Sequence, residues 1–252
     1  MAITVPTVIL NAFNDANLGV YDTAAVVLTA GRWYTLTVHQ YSSSPAETNA
    51  TVIHDPTGTP LSFVLISPGA VDARVLAWDA ADHRCVEVWA VRPTSTTASA
   101  VIRIDPTATQ STCGWILAEW SAGVDPTDFA VQVVIASGSS TSAAVTMATY
   151  GATDNATYFV AADGTNTGGR ALLSADEGRT ELAENTPTEV RNDCADYYQI
   201  PHAGDTSLTA TLATSQNWGA IGIEVKAAAG GAAEVTGYDK PIGRGMNWGI
   251  GF

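Results

Sequence analysis

The sequence predicts an all-β fold, a jelly-roll-like antiparallel β-sandwich with a weak internal repeat and an extended C-terminal tail. Short runs of β-branched and aromatic residues recur along the chain, and clusters of Pro, Gly, Asp, Ser and Thr separate them, which is typical of sandwiches. Residues that favour helices are scarce, because the chain has only two lysines, Lys226 and Lys240. Charged residues make up 14% of the chain, against roughly 25% in ordinary soluble domains.

The strand candidates follow one another in order, and turn-forming residues end each of them. The clearest is Trp33–Tyr41, in which Tyr34, Leu36 and Val38 share one face and the odd-numbered residues share the other. Further candidates in the first half are residues 26–28, 50–53, 61–66, 75–78, 85–91, 100–104 and 115–120. Those in the second half are residues 143–150, 158–161, 171–173, 194–200, 208–212 and 218–226.

A weak internal repeat relates the two halves of the chain. The segments 85–93, 100–104 and 115–119 recur in the same order as 194–201, 208–212 and 218–224. Each set begins at a cysteine and ends in a strand led by tryptophan, with Glu119 or Glu224 on the same face as that tryptophan.

Two organisations fit this repeat: tandem sandwiches of roughly a hundred residues each, or one sandwich in which each half contributes strands to both sheets. A single domain over residues 1–228, with pseudo-repeats at about 8–122 and 130–226, is favoured because the junction at 121–128 is short and turn-like.

Residues 229–252 are predicted to be a linker followed by a glycine-rich tail. The tail cannot bury its own apolar side chains, so we expect it to dock on its own domain or on a neighbour. The predicted interface residues of the tail are Tyr238, Ile242, Met246, Trp248, Ile250 and Phe252.

The charge balance excludes several classes of partner. The formal net charge is -14 at pH 7 and the isoelectric point is about 4.4, whereas nucleic acids and anionic membranes attract clustered Lys and Arg. The sequence therefore predicts no nucleic-acid and no membrane partner. The first residues lack the basic and apolar segments of a signal peptide, so we expect a virion protein made in a host cytoplasm; the alternative is a bacterial cell-surface or extracellular protein.

Four segments resemble the β-sandwich modules of phage virion accessory proteins, from tails and capsids, and of repeated bacterial surface proteins. They read RWYTLTV at 32–38, CVEVW at 85–89, a Trp-led strand ending in GVDP at 115–126, and WGAIGIEVK at 218–226. The resemblance covers most of residues 8–228 and does not include the tail. It implies a sandwich that displays or assembles, and it implies no catalytic residue.

Catalytic constellations are weakly supported by the residues. The polar cluster Asp79, Asp82, His83 and Arg84 could hold an acid–base pair, yet a solvated turn between strands explains it more simply. Residues 138–142 lack the second glycine of a G-x-S-x-G motif and are predicted to form a Ser/Thr-rich turn.

The repeated glutamates Glu119 and Glu224 could form the carboxylate pair of a glycosidase, although repeat symmetry accounts for them equally well. No enzymatic activity and no cofactor are predicted. Ca²⁺ is the one ion that the loops could hold, at residues 154–155 or 163–166, although ordinary turn chemistry is the favoured explanation. The histidines His39, His54, His83 and His202 are too scattered for a metal site.

The cysteines Cys85, Cys113 and Cys194 are expected to be buried free thiols, with a Cys85–Cys113 bridge as the alternative. Tryptophans on strands suit either a wide core or an exposed platform that stacks on sugars or binds protein. The candidate platform consists of Trp33, Trp89, Trp115 and Trp218.

These observations favour a non-enzymatic structural protein of a bacteriophage virion, such as a minor tail, capsid-decoration or fibre-like component. Its predicted partners are other virion proteins and copies of itself. The alternative is a carbohydrate-binding β-sandwich module that attaches to host or surface glycans.

Overall fold

The computed structural model describes residues 2–42, 50–76, 84–164, 172–175, 178–186, 193–202 and 204–229. Within these ranges every regular element is a β-strand and every strand pair is antiparallel, which confirms the predicted fold class. The same ranges contain no helix with the length and apolar character needed to cross a membrane.

The described strands of the first half form two sheets. They are β1 (Thr7–Asn14), β2 (Tyr21–Asp22), β3 (Trp33–Tyr41), β4 (Thr51–His54), β5 (Leu61–Ser62), β6 (Val64–Leu65), β7 (Arg74–Leu76), β8 (Arg84–Val91), β9 (Ile102–Asp105) and β10 (Thr112–Trp120). Sheet 1 has the order β1-β10-β3-β8-β6, and β7 also pairs with β8. Sheet 2 has the order β2-β9-β4-β5.

The described strands of the second half form one large sheet. They are β11 (Ala130–Thr146), β12 (Ala156–Asp163), β13 (Leu172–Ala175), β14 (Thr180–Asn185), β15 (Cys194–Gln199) and β16 (Ser207–Val225). Sheet 3 has the order β11-β16-β12-β15-β14, and β13 pairs with the first part of β16. Because β11 and β16 are long, their paired ends extend past the rest of the sheet.

The weak repeat predicted from the sequence corresponds to a repeated strand order. In sheet 1 the edge strand β1 is the first strand of its half, and it pairs with β10, the last strand of that half. In sheet 3 the edge strand β11 is likewise the first of its half and pairs with β16, the last. Sheets 1 and 2 take their strands from residues 7–120, and sheet 3 takes its strands from residues 130–225. The favoured arrangement, in which each half contributes strands to both sheets, is therefore not observed, because each half pairs its own strands.

The sheets stack in four layers with three cores between them. One core joins sheet 2 to sheet 1, and a second joins sheet 1 to sheet 3. The third lies between sheet 3 and the distal layer, by which we mean residues 142–146 of β11 and 207–212 of β16 with β13. A Cβ atom added at Gly222 would lie 2.7 Å from Met147 Sδ, which shows how closely the distal layer covers the sheet.

An aromatic group holds the two halves together at the junction between them. Trp120, at the end of β10, makes edge-to-face contacts with Phe129 and with Tyr158, at ring-centroid distances of 5.5 and 5.7 Å. Trp33 makes a similar contact with Phe129 at 5.5 Å. These rings belong to or pack against the core between sheets 1 and 3, so the halves share a hydrophobic core.

Candidate functional site

The four tryptophans of the predicted platform lie in separate parts of the molecule. Trp89 and Trp115 are buried between sheets 1 and 2, and Trp218 is buried between sheet 3 and the distal layer. Trp33 is half-buried against the core between sheets 1 and 3. The structure does not bring these side chains onto one surface, because the strands that carry them are covered on both faces.

Three of the four indole groups have partners inside the protein, and the partner of Trp89 Nε1 is Glu87 Oε2 at 3.2 Å. Trp33 Nε1 donates to the backbone oxygen of Asp125 at 2.8 Å, and Trp218 Nε1 donates to Ser140 Oγ at 3.0 Å. Trp33 therefore helps to fix the junction between the two halves. Trp218 helps to fix β11 where its pairing register with β16 shifts. The tail residues Tyr238, Ile242, Met246, Trp248, Ile250 and Phe252 lie outside the described residues.

The repeated glutamates Glu119 and Glu224 occupy equivalent strands but lie on opposite sides of the central layers. Glu119 faces sheet 2 and accepts hydrogen bonds from Arg32 and, at 2.6 Å, from the Tyr34 hydroxyl. Glu224 faces the distal layer and accepts one from Gln132 Nε2 at 2.6 Å. Since stacked sheets are about 10 Å apart, the two carboxylates exceed the roughly 5–9.5 Å separation used by glycosidases.

The residues of the predicted serine turn form part of a strand, and most of the predicted polar cluster lies outside the described residues. Residues 138–142 lie inside β11, so the predicted turn is wrong there: Gly138 leaves room for the Trp218 ring. Asp79, Asp82 and His83 lie outside the described residues. Arg84 is buried in β8, where its guanidinium group lies 5.7 Å from the centre of the Tyr41 ring.

The described histidines are dispersed, and each has a hydrogen-bonding contact within the protein. The contacts are His39 Nε2 to Asn185 Oδ1 at 3.2 Å, His54 Nε2 to the Val26 oxygen at 3.1 Å, and His202 Nε2 to the Ala152 oxygen at 2.8 Å.

The predicted calcium positions offer few free ligands. Asn155 is buried, its amide nitrogen donates to Glu224 Oε1 at 2.5 Å, and its amide oxygen accepts from the Ala227 nitrogen at 2.9 Å. Asp154 is exposed beside it, and residues 165–166 of the second loop lie outside the described residues. Among the residues that the structure describes, no group of three or more His, Cys, Asp or Glu side chains could hold a metal ion.

The three cysteines are buried and free, which confirms the favoured prediction. Cys85 and Cys113 both lie opposite Gln40, on the two strands that flank β3. Two interstrand spacings, about 9.6 Å, therefore separate their Cα atoms, and a disulfide needs less than about 7 Å.

A buried polar group joins sheets 1 and 3, and the sequence patterns above did not predict it. Thr37 Oγ1 on β3 donates to Asp196 Oδ2 on β15 at 2.9 Å, and the Tyr158 hydroxyl on β12 donates to the same oxygen. Burial raises the pKa of Asp196 to about 7, although both hydrogen bonds oppose that rise. All three side chains are fully enclosed, so this group affects stability rather than contacting a substrate.

A second buried carboxyl group lies between sheets 1 and 2. Glu87 accepts hydrogen bonds from Arg74 Nε at 2.5 Å and from Trp89 Nε1 at 3.2 Å. Burial raises the pKa of Glu87 to about 7, and the Arg74 guanidinium group counteracts part of that rise. The Arg74 guanidinium group also lies 5.8 Å from the centre of the Trp89 ring, so Arg74 contacts both the Glu87 carboxylate and the indole.

The exposed edges of the sheets differ strongly in length and charge. β11 has 17 residues and β1 has 8, and neither contains a charged residue or a proline. The other described edge strands have two to six residues, and the longest of them, β14, contains Glu181 and Glu184. Natural sheets usually protect their edges with short strands, charges or proline, and β11 and β1 lack those features.

Of these two long edges, β11 is the more open. β1 is fastened to the second half, since Asn185 Nδ2 donates to the Ala12 oxygen at 2.7 Å and Asn11 Nδ2 donates to the Glu184 oxygen at 2.7 Å. Among the described strands, β11 pairs with β16 alone, so its other side has no described partner strand. Val131 and Ile135 on β11 are each 40% exposed, so this edge combines free backbone groups with apolar side chains.

An open cleft lies beside the junction between the halves. Its volume is about 720 Å³, within the usual range for ligand sites. The walls are formed by β6 and the segment after it, by the end of β8, and by residues 126–130 before and at the start of β11. Trp33 and Phe129 form its inner wall, Val64 is 68% exposed at its rim, and Arg92 and Asp128 provide charge of both signs.

Comparison of the chain with protein-family models, with curated proteins and with solved structures finds no match. The strand edges and the cleft are therefore the features of the molecule that bear on its function.

Proposed function

We propose that this protein is a non-enzymatic structural subunit of a bacteriophage virion, a minor tail, capsid-decoration or fibre-like component, which assembles with copies of itself and with other virion proteins. The observation that carries the proposal is the open edge of β11, whose 17 residues carry no charge and whose part before the register shift at Ser140 and Ser142 lies along sheet 3. An exposed strand edge can add a strand from another molecule through main-chain hydrogen bonds.

The distribution of charge supports a second copy as the partner of this edge. Copies of a chain with a formal net charge of -14 repel each other in general. A strip without charged side chains lowers that repulsion locally, and two such strips can pair antiparallel about a twofold axis, so that each contributes the same surface. Val131 and Ile135 add apolar contact beside the backbone pairing.

Two observations make assembly the stronger proposal than glycan binding. The predicted tryptophan platform is dispersed among three cores, and the described histidines and repeated glutamates are used in local contacts. The long edge of β11, in contrast, has no described strand paired along its outer side.

The experiment is a double substitution on the edge, Val131→Lys with Ile135→Lys, in the full-length protein. Light scattering at several concentrations should give an oligomer for the wild-type protein and a monomer for the variant, since charged side chains at an edge prevent strand addition. The matched control is Val20→Lys with Val27→Lys, which adds the same charge at exposed apolar positions outside the named strands. The control should remain oligomeric.

A wild-type protein that is monomeric at every concentration would contradict self-assembly through this edge. Equal dissociation of the edge variant and the control would instead attribute the effect to net charge. Incorporation of the edge variant into phage particles at the wild-type level would exclude a role of β11 in the virion.

A further inference from the structure

The cleft beside the junction has the features of a docking site for an extended segment. Among the described strands, β6 pairs with β8 on one side and is the last strand of sheet 1, so its other side can accept a further strand. Val64 projects from β6 with 68% of its surface exposed, and Trp33 and Phe129 provide an aromatic wall.

The described part of the chain ends close to this cleft. The Lys226 nitrogen donates to the oxygen of Phe129, a wall residue, at 2.9 Å. Two residues further on, the Ala228 nitrogen donates to the Gly123 oxygen at 2.7 Å. The chain therefore leaves the fold within a few residues of the cleft.

Residues 230–252 suit the cleft in length and chemistry. An extended segment of this length spans up to about 75 Å, so any point of the cleft is within reach. The segment contains two acidic and two basic residues, and this balance avoids repulsion by the acidic body of the protein. Its apolar residues, Trp248 and Phe252 among them, require a surface that covers them.

We propose that residues 230–252 dock in this cleft of their own chain, with apolar side chains against Trp33 and Phe129 and with the backbone along β6. The proposal goes beyond assembly through β11, since the cleft includes only the first residue of that strand, Ala130. It assigns the cleft to a segment of the same chain and not to a glycan.

The first test is a crosslink in the full-length protein. Ser67 lies at the cleft and Gly249 lies within the segment, and the native cysteines are buried, so Ser67→Cys with Gly249→Cys introduces the accessible thiol pair. Oxidation at low protein concentration should form an intrachain disulfide at least about tenfold faster than in the control pair Thr146→Cys with Gly249→Cys, because docking raises the effective concentration. Thr146 is exposed at the far end of β11.

Equal rates for the two pairs, or mainly interchain crosslinks, would overturn the proposal.

The second test is hydrogen exchange of the amides of residues 230–252. Val64→Glu should accelerate it by at least about tenfold, and Val71→Glu, at another exposed valine, should not. Exchange at the rate of an unstructured peptide in the wild-type protein would also overturn docking.

Discussion

At the scale of single residues, the central layers contain ionisable groups where a purely apolar core would be more usual. Asp196 is fully buried between sheets 1 and 3, and its partners are the hydroxyl groups of Thr37 and Tyr158. Hydroxyl groups are neutral, so they compensate only part of the cost of burying a carboxylate. The protonated form of Asp196 is therefore favoured, and its pKa rises to about 7.

This shift predicts that stability falls as the pH rises. In the unfolded chain Asp196 ionises with the ordinary aspartate pKa of about 3.8, whereas the folded protein retains the proton up to about pH 7. The folded state thus binds the extra proton between these values, and the stabilisation present below about pH 4 is lost by about pH 7. Glu87 acts in the same direction, because its pKa is also raised to about 7.

Asp196→Asn should reduce this dependence, since the amide oxygen can accept both hydroxyl hydrogen bonds without a charge. At pH 8 we expect the variant to exceed the wild-type free energy of unfolding by on the order of 4 kcal/mol, with the difference shrinking toward pH 4. Urea unfolding at a series of pH values measures both quantities. Parallel profiles for the two proteins would contradict the assignment, whereas the remaining slope of the variant belongs to Glu87 and other groups.

At the scale of elements, β11 and β16 form one long antiparallel pair that bends over sheet 3. The pairing register shifts between Ser140 and Ser142, where the partner changes from Gln216 to Thr211. The Trp218 ring lies against Gly138 at this bend, and Trp218 Nε1 donates a hydrogen bond to Ser140 Oγ. The Ser/Gly-rich stretch therefore acts as the corner between two layers.

Gly138→Ala tests this role. The added Cβ would lie 2.7 Å from Trp218 Cζ2, a rigid ring atom in a buried side chain, so β11 and β16 must shift relative to each other. We expect a loss of about 1–3 kcal/mol in the free energy of unfolding, measured by urea denaturation. The exposed neighbour Ser139→Ala is the control and should change stability by less than about 0.5 kcal/mol. An equal or higher stability for Gly138→Ala would show that the bend tolerates a side chain.

The sequence pattern predicted some elements closely and missed others for physical reasons. Trp33–Tyr41 has the predicted bounds, because alternating aromatic and β-branched residues mark a strand clearly. Residues 138–142, in the middle of β11, are predicted from the sequence to form a turn, since Ser and Gly favour turns unless pairing with another strand overrides them. β1 was not predicted, and residues 26–28 form only an isolated bridge from Val26 to Ala100.

The candidate site depends on pairing partners more than on local pattern, and the sequence therefore did not reveal it. An unprotected edge can be recognised only when the strand order is known, because the same uncharged run could lie inside a sheet. Burial of the odd-numbered face of β3 is equally hard to predict from local pattern. Threonines such as Thr35 and Thr37 are common on solvated faces, but here sheet 3 covers them. Trp33 was the one platform residue that the structure places at the cleft.

At the scale of the whole molecule, the repeat has produced two sandwiches that share a core. Each half builds its own sheets, yet the core between sheets 1 and 3 draws residues from both. Trp120 links them directly, since its ring contacts Phe129 and Tyr158 and its nitrogen donates to Thr35 Oγ1 at 3.0 Å. A shared core of this kind favours unfolding as one cooperative unit.

Leu208→Ala measures whether the halves unfold together. Leu208 is fully buried in the core beneath the distal layer, a whole layer away from sheet 1, so its truncation should cost about 2–5 kcal/mol by leaving a cavity. If the molecule is one cooperative unit, hydrogen exchange of the most protected amides should lose the same free energy in β3 as in β12. The matched substitution Val52→Ala, in the core between sheets 1 and 2, should likewise lower both. A loss confined to the half that carries each substitution would mean that the sandwiches are independent domains, and that the shared core joins them without coupling their unfolding.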